Sequence, residues 1–159
     1  MKSLLSIAEK AEGLLHKAFS MKGDEFGFEL PSAMLVGVNL DENGDFLGIE
    51  PEVASHADIY ELLDNVSLES IAGFQVFGLV TCGWAAPISQ GEDEPEGAPS
   101  EHPDRRRVRL FICADRSEMA SVLRFRDEAT EPVLDAGEAR GPLALAIQNL
   151  LARAEANSN

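Results

Sequence analysis

Apolar residues at Leu4, Ile7, Ala8, Ala11, Leu14, Leu15, Ala18 and Phe19 recur every three or four positions. That period predicts a helix over residues 2–20 with one apolar stripe, expected to face the core. A polar connector with two glycines follows at 21–29, and the period then changes. Residues 33–40 read as a strand, Asp41-Glu42-Asn43-Gly44 as a turn and 46–49 as the returning strand. Asn-Gly between apolar runs is a strong short-range hairpin signal. Ser55 is expected to cap a second helix, with Asp58 three residues later in place of the usual Glu. Ile59, Leu62, Leu63 and Val66 would form its apolar face. The stretch from Gly73 to Trp84 is the most apolar. Phe74, Val76, Val80, Cys82 and Trp84 fall on one side of this strand, and Phe77 and Leu79 on the other. Both sides are therefore expected to be covered, by helices or by another subunit.

The most informative segment is a second hairpin. Residues 105–114 read as one strand and 119–126 as its partner, joined by Asp115-Arg116-Ser117-Glu118. A four-residue loop sets Ala114 opposite Met119, and hence Arg109 opposite Arg124 and Arg107 opposite Arg126. Ile112 then meets Ser121, Leu110 meets Leu123 and Val108 meets Phe125, which makes theirs the expected core face. The arginine pairs, with Phe111 opposite Val122, take the other face. A loop of odd length would mix the two faces, so the alternation disfavours it. Like charges directly across a sheet repel. Something acidic is therefore expected over these arginines. It is either the protein's own carboxylates (Glu92, Asp93, Glu94, Glu96, Asp127 or Glu128) or an external anion. Planar guanidinium donors suit carboxylate or phosphate, whereas exposed internal pairs contribute little each.

Residues 91–104 are rich in Pro, Gly and Glu and are expected to form a disordered acidic linker. Pro132-Val133-Leu134 suggests a short edge strand. Gly141-Pro142 opens a last helix with Leu143, Ile147, Leu150, Leu151 and Ala154 on its inner face. The tail 157–159 should fray. The expected class is α+β: one mainly antiparallel sheet of five or six strands with three helices packed on it, forming a single domain over 1–159. No internal repeat is visible. The order of elements resembles the roadblock/longin and profilin-like folds, which are mostly interaction modules.

The net charge of −15, from 28 acidic and 13 basic side chains, argues against general affinity for nucleic acid or an anionic membrane. The acidity reads as a solubility device. Seven of the 13 basic residues lie between Arg105 and Arg126, so the positive charge is concentrated in the second hairpin. The two cysteines, Cys82 and Cys113, sit in apolar strand-like runs and read as small buried hydrophobes of a reducing compartment. No apolar run approaches the ~20 residues of a membrane helix, and the amino terminus lacks a signal-peptide core. A cytoplasmic location is expected.

Candidate chemistry is sparse. Glu101, His102 and Asp104 could begin a metal site. Pro103 interrupts their spacing and no second histidine lies nearby, so a solvated linker histidine is the better reading. A JAB-type metalloprotease would need another histidine two residues before His102, where Ser100 stands. Cys82 has no base on its strand. Gly44, Gly48, Gly73, Gly78 and Gly83 lack the spacing of a phosphate-binding loop. No metal and no cofactor are expected.

The stretch His102-Pro103-Asp104-Arg105-Arg106-Arg107-Val108-Arg109 resembles a family of small acidic cytoplasmic actinobacterial proteins. They carry His-Pro-(Asp/Glu)-Arg-x-x-Val-Arg after an acidic linker, followed by a similar hairpin and a closing Gly-x-Leu helix. The likeness covers about residues 59–155, and the first 58 positions match only loosely. It implies fold and compartment and transfers no catalytic residue.

Three functional classes follow. The first is a non-enzymatic interaction module forming a homodimer, with Phe74, Val76 and Trp84 of the apolar strand, or the second helix, at the interface. The alternative is an anion or small-molecule binding protein, even a weak enzyme, built on Arg105, Arg107, Arg109, Arg124 and Arg126. A third class, an acidic nucleic-acid mimic that binds a basic partner, ranks below both.

Overall fold

A computed structural model of the chain describes residues 3–21, 33–56, 58–65, 74–85, 106–115, 118–126 and 131–136, and positions 146–147, 149–150 and 152–153. Helix α1 spans Leu4–Met21. The Ser3 hydroxyl oxygen accepts from the Ser6 N–H at 3.1 Å and so satisfies a donor of its first turn. Leu4, Ile7, Ala8 and Ala11 are buried as expected. Leu14 and Ala18, also placed on the stripe by periodicity, are exposed. The inward ridge instead follows the four-residue series Leu4, Ala8, Glu12 and His16, with Glu12 buried and His16 half-buried.

Strands β1 (Ala33–Leu40) and β2 (Phe46–His56) form the first hairpin. Asp41 organises its turn: its Oδ1 accepts from the N–H groups of Asn43 and Asp45, both at 2.9 Å. Gly44 takes the left-handed backbone conformation there, with φ +83°. β2 runs further than expected, and Ser55 pairs with Met34 inside it. Ser55 therefore does not cap helix α2 (Ile59–Asn65). Asp58 does, its Oδ1 accepting from the N–H groups of Tyr60 at 2.8 Å and Glu61 at 3.2 Å. A short carboxylate next to the positive end of a helix performs the role that serine would have had.

Strands β3 (Val76–Ala85), β4 (Arg106–Ala114), β5 (Met119–Phe125) and β6 (Val133–Ala136) complete one antiparallel sheet in the order β2-β1-β3-β4-β5-β6. The β4–β5 register sets Ala114 against Met119 and Arg109 against Arg124, as the alternation requires. The Asp115 N–H bonds the Glu118 carbonyl at 3.1 Å, and the Glu118 N–H bonds Asp115 Oδ1 at 2.7 Å, closing the connection. The Arg126 N–H donates to the Arg107 carbonyl at 2.9 Å and extends the ladder by a step. The expected edge strand near Pro132 is β6.

The described residues contain two complete helices where three were expected. The third falls largely outside them, although Ala146, Ile147, Asn149, Leu150, Ala152 and Arg153 are helical. Also outside are Val66, the linker with its acidic residues, Glu101, His102, Asp104, Arg105, Asp127, Glu128, Gly141-Pro142 and the tail.

The sheet carries a core on each face. Under α1 lie Val36, Val38, Val76, Val80, Phe111 and Val122. On the other face α2 supplies Leu62 and Leu63, which join Leu35, Phe77, Leu79, Ile112, Ile147 and Leu150. The arginine-bearing face of the second hairpin is thus no outward surface. It is covered by the stripe of α1, because Phe111 and Val122 make it apolar enough to need covering. Gly78 makes room for this layer: a Cβ there would lie 2.5 Å from the fully buried Phe111 ring and 3.2 Å from Val36. Gly78→Ala is therefore expected to destabilise the fold by about 1–3 kcal/mol in urea unfolding, with the slope unchanged.

Candidate functional site

The cross-strand register places the Arg109 and Arg124 side chains next to each other on the α1 face. Glu12 descends from the helix between them. Its Oε1 accepts from Arg124 Nη2 and its Oε2 from Arg124 Nε, each at 2.6 Å, giving a bidentate pair. Arg109 Nη2 lies 3.8 Å from Glu12 Oε2, close enough for attraction but beyond a hydrogen bond. The same Nη2 lies 2.6 Å from His16 Nδ1. A guanidinium can only donate, so Nδ1 accepts, and the neutral imidazole carries its proton on Nε2.

These charges are withdrawn from water. Arg109 is 1% exposed and Glu12 3%, while the Arg124 side chain keeps 20% of its surface open. Burial lowers the Arg109 pKa from its ordinary value. The Glu12 carboxylate opposes that pull most strongly, Cys82 also raises it, and Arg124 lowers it. Among the described residues no buried side-chain nitrogen or oxygen lacks a partner. The repulsion implied by the sequence is thus answered from within, by a carboxylate one helix away.

Cys82 faces Arg109 across the β3–β4 ladder and is partly exposed, so it is not the buried hydrophobe expected. Cys113 is, and burial pushes its thiol up to about 12. Arg107 is half-buried opposite Trp84, and Arg126 is exposed. Arg106, not singled out from the sequence, lays its guanidinium 4.0 Å from the centre of the Phe125 ring. Phe74 is half-buried, its ring packed against Gly37. Val76 is buried under α1. β3 occupies the middle of the sheet, so its apolar stretch is covered on both faces within one chain.

Sequence reasoning missed Glu12 and His16. The available signal was a carboxylate in line with Leu4 and Ala8 on a helical ridge. Among the described residues, no group of three or more His, Cys, Asp or Glu side chains could hold a metal ion. No helix among them is long and apolar enough to cross a membrane. No protein-family model, curated protein or solved structure matches the chain.

Two outcomes follow from this geometry. Glu12→Ala removes the carboxylate beside a buried guanidinium and is expected to cost about 3–5 kcal/mol, whereas the joint replacement Glu12→Leu, Arg109→Met, Arg124→Leu is expected to be near neutral or stabilising. Chemical denaturation of the two proteins checks the contrast. Native-state alkylation at pH 8 is expected to label Cys82 and spare Cys113, as mapped by peptide mass.

Proposed function

We propose that the chain is a non-enzymatic interaction module that pairs with a second copy of itself through edge strand β6. The observation that carries this reading is the exposure of Val133 (50%) and Leu134 (39%) on an outermost strand. The two side chains point to opposite faces, so the edge is apolar on both sides. An edge of that kind is a template for another strand. The opposite edge is blunted: β2 contains Pro51, and its register with β1 shifts between Leu35 and Gly37. Antiparallel β6–β6 pairing about a two-fold axis gives a closed, isologous contact. Four residues offer few hydrogen bonds, so apolar burial supplies most of the affinity and the association is weak.

Val76 is buried and Phe74 half-buried within the chain, which favours β6 over these two as the interface. Membership of the small acidic cytoplasmic family resembled by His102–Arg109 belongs to the same proposal and gives its compartment. An anion site on the arginine face is the weaker reading. An incoming anion would have to displace the Glu12 carboxylate from two 2.6 Å bonds.

Light scattering coupled to size exclusion tests the dimer. The wild-type chain is expected to approach twice the monomer mass as concentration rises through the micromolar range. Added salt should strengthen the pairing by screening two bodies of net charge −15. Val133→Lys with Leu134→Glu should remain monomeric. A wild-type protein that stays monomeric at every concentration and salt level would sink the reading.

A further inference from the structure

We propose that two copies of the chain meet along β6 in a single register, with Leu134 directly opposite Leu134 of the second copy. This inference rests on the pairing of copies at that edge, and it assigns the residues that face each other there. The bonding pattern of the sheet selects them. Along an antiparallel strand, successive residues turn their N–H and C=O groups alternately toward one neighbour and the other. The Asp115 N–H bonds the Glu118 carbonyl at one end of the β4–β5 ladder, and the Arg126 N–H bonds the Arg107 carbonyl at the other. The register between these closures has no shift, so Ala120, Val122 and Arg124 bond toward β4. Ser121 and Leu123 therefore bond toward β6, where they face Asp135 and Val133. The backbone groups of Asp135 and Val133 are thus used inside the chain. Leu134 and Ala136 turn theirs to the open edge, and the Pro132 carbonyl follows the same phase.

Symmetry removes most of the alternatives. A sheet that continues across a two-fold axis keeps its faces, so each residue meets only residues of its own face. Leu134 shares a face with Val122, and Val133 shares the opposite one with Leu123. The axis therefore passes at a residue, Val133, Leu134 or Asp135, and never between two.

Charge and bonding decide among these three. An axis at Asp135 sets two aspartates against each other, and an axis at Val133 sets each Glu131 against Asp135 of the other copy. Like charges directly across a ladder oppose both. The axis at Val133 also leaves each Leu134 carbonyl unbonded, because it would face Pro132, which has no N–H. An axis at Leu134 brings no two acids of residues 131–136 into opposition. Each Leu134 N–H then donates to the Leu134 carbonyl of the other copy, and each Ala136 N–H to the other copy's Pro132 carbonyl. Pro132 acts only as an acceptor, the one part that proline can play in a ladder. The Leu134 side chains, 39% exposed in the single chain, meet each other on the α1 face.

Cysteine pairing in a Cys82→Ser background reads the register. Positions 133 and 135 oppose each other as a non-hydrogen-bonded pair, where Cα atoms approach to ~4.5 Å, within reach of a disulfide. In a glutathione redox buffer, an equimolar mixture of Val133→Cys and Asp135→Cys chains is expected to give a covalent dimer, and either chain alone only background. A covalent dimer from Val133→Cys alone, or from Asp135→Cys alone, overturns the register and leaves the β6 pairing standing. No linkage in any sample, with the wild-type chain dimeric by light scattering, overturns the register and the choice of edge. A wild-type chain that stays monomeric overturns the register and the dimer together. Residue-resolved amide exchange of the wild type is an independent readout. As concentration rises, the Leu134 and Ala136 amides should slow, whereas those of Val133 and Asp135, already bonded to β5, should not change. Unchanged exchange at Leu134 in the dimer also overturns the proposal.

Discussion

The Glu12 carboxylate fixes where α1 lies on the sheet. Arg109 and Arg124 are opposed by the register of two neighbouring strands, and the apolar residues around them call for a cover. A wholly apolar helix would take the Glu12 carboxylate away from the fully buried Arg109 and the largely buried Arg124, at a cost of several kcal/mol. A helix with its acid one turn away would do the same. Sliding α1 by four residues would set Ala8 or His16 over Arg124 in place of Glu12. The ion cluster therefore contributes less to total stability than to selecting one docking position. Leu4, Ile7, Ala8 and Ala11 then supply the apolar burial once that position is taken.

A sheet with a core on each face imposes a second constraint. β3 sits at the centre and alternates Val76 and Val80 toward α1 with Phe77 and Leu79 toward α2. Every position of such a strand needs an apolar or very small side chain. Gly78 is small because Phe111 lies over it, and Gly37 is small because the Phe74 ring does. Gly78 lets the Phe111 ring approach the backbone under α1, and Gly37 lets Phe74 do so on the opposite face, beside Leu35 and Phe77. The packing of Phe111 on Gly78 and the ion cluster therefore share the layer under α1.

Much of this was legible because side chains alternate regularly along β4 and β5. The Arg109–Arg124 register follows from one loop length and the requirement that Val108, Leu110 and Ile112 share a face. The bounds of β1 and the existence of β6 follow from similarly local signals. What escaped was the information that connects distant segments. Glu12 is 112 positions from Arg124, and His16 is 93 from Arg109. An acid on an apolar ridge has meaning only when the opposing surface is known, so periodicity drew the stripe through Leu14 and Ala18 instead. Ser55 misled for a related reason: its capping propensity is local, but pairing with Met34 claims its backbone for the sheet, and the cap passes to Asp58. The hairpin was given one core face because its own sequence cannot reveal that α1 covers the other.

Arg153 Nη2 donates to the Leu63 carbonyl at 3.0 Å, while Ile147 and Leu150 are fully buried beside Leu62 and Leu63. Ile147 and Leu150 are therefore part of the second core, although a ribosome makes them after every described strand. During synthesis the nascent sheet can acquire its α1 cover early, because that helix is translated first. Its other side gains Leu62 and Leu63 from α2 early, but lacks Ile147 and Leu150 until that helical segment emerges. The second core is thus completed only once Ile147 and Leu150, more than eighty positions beyond Leu62 and Leu63, have been synthesised.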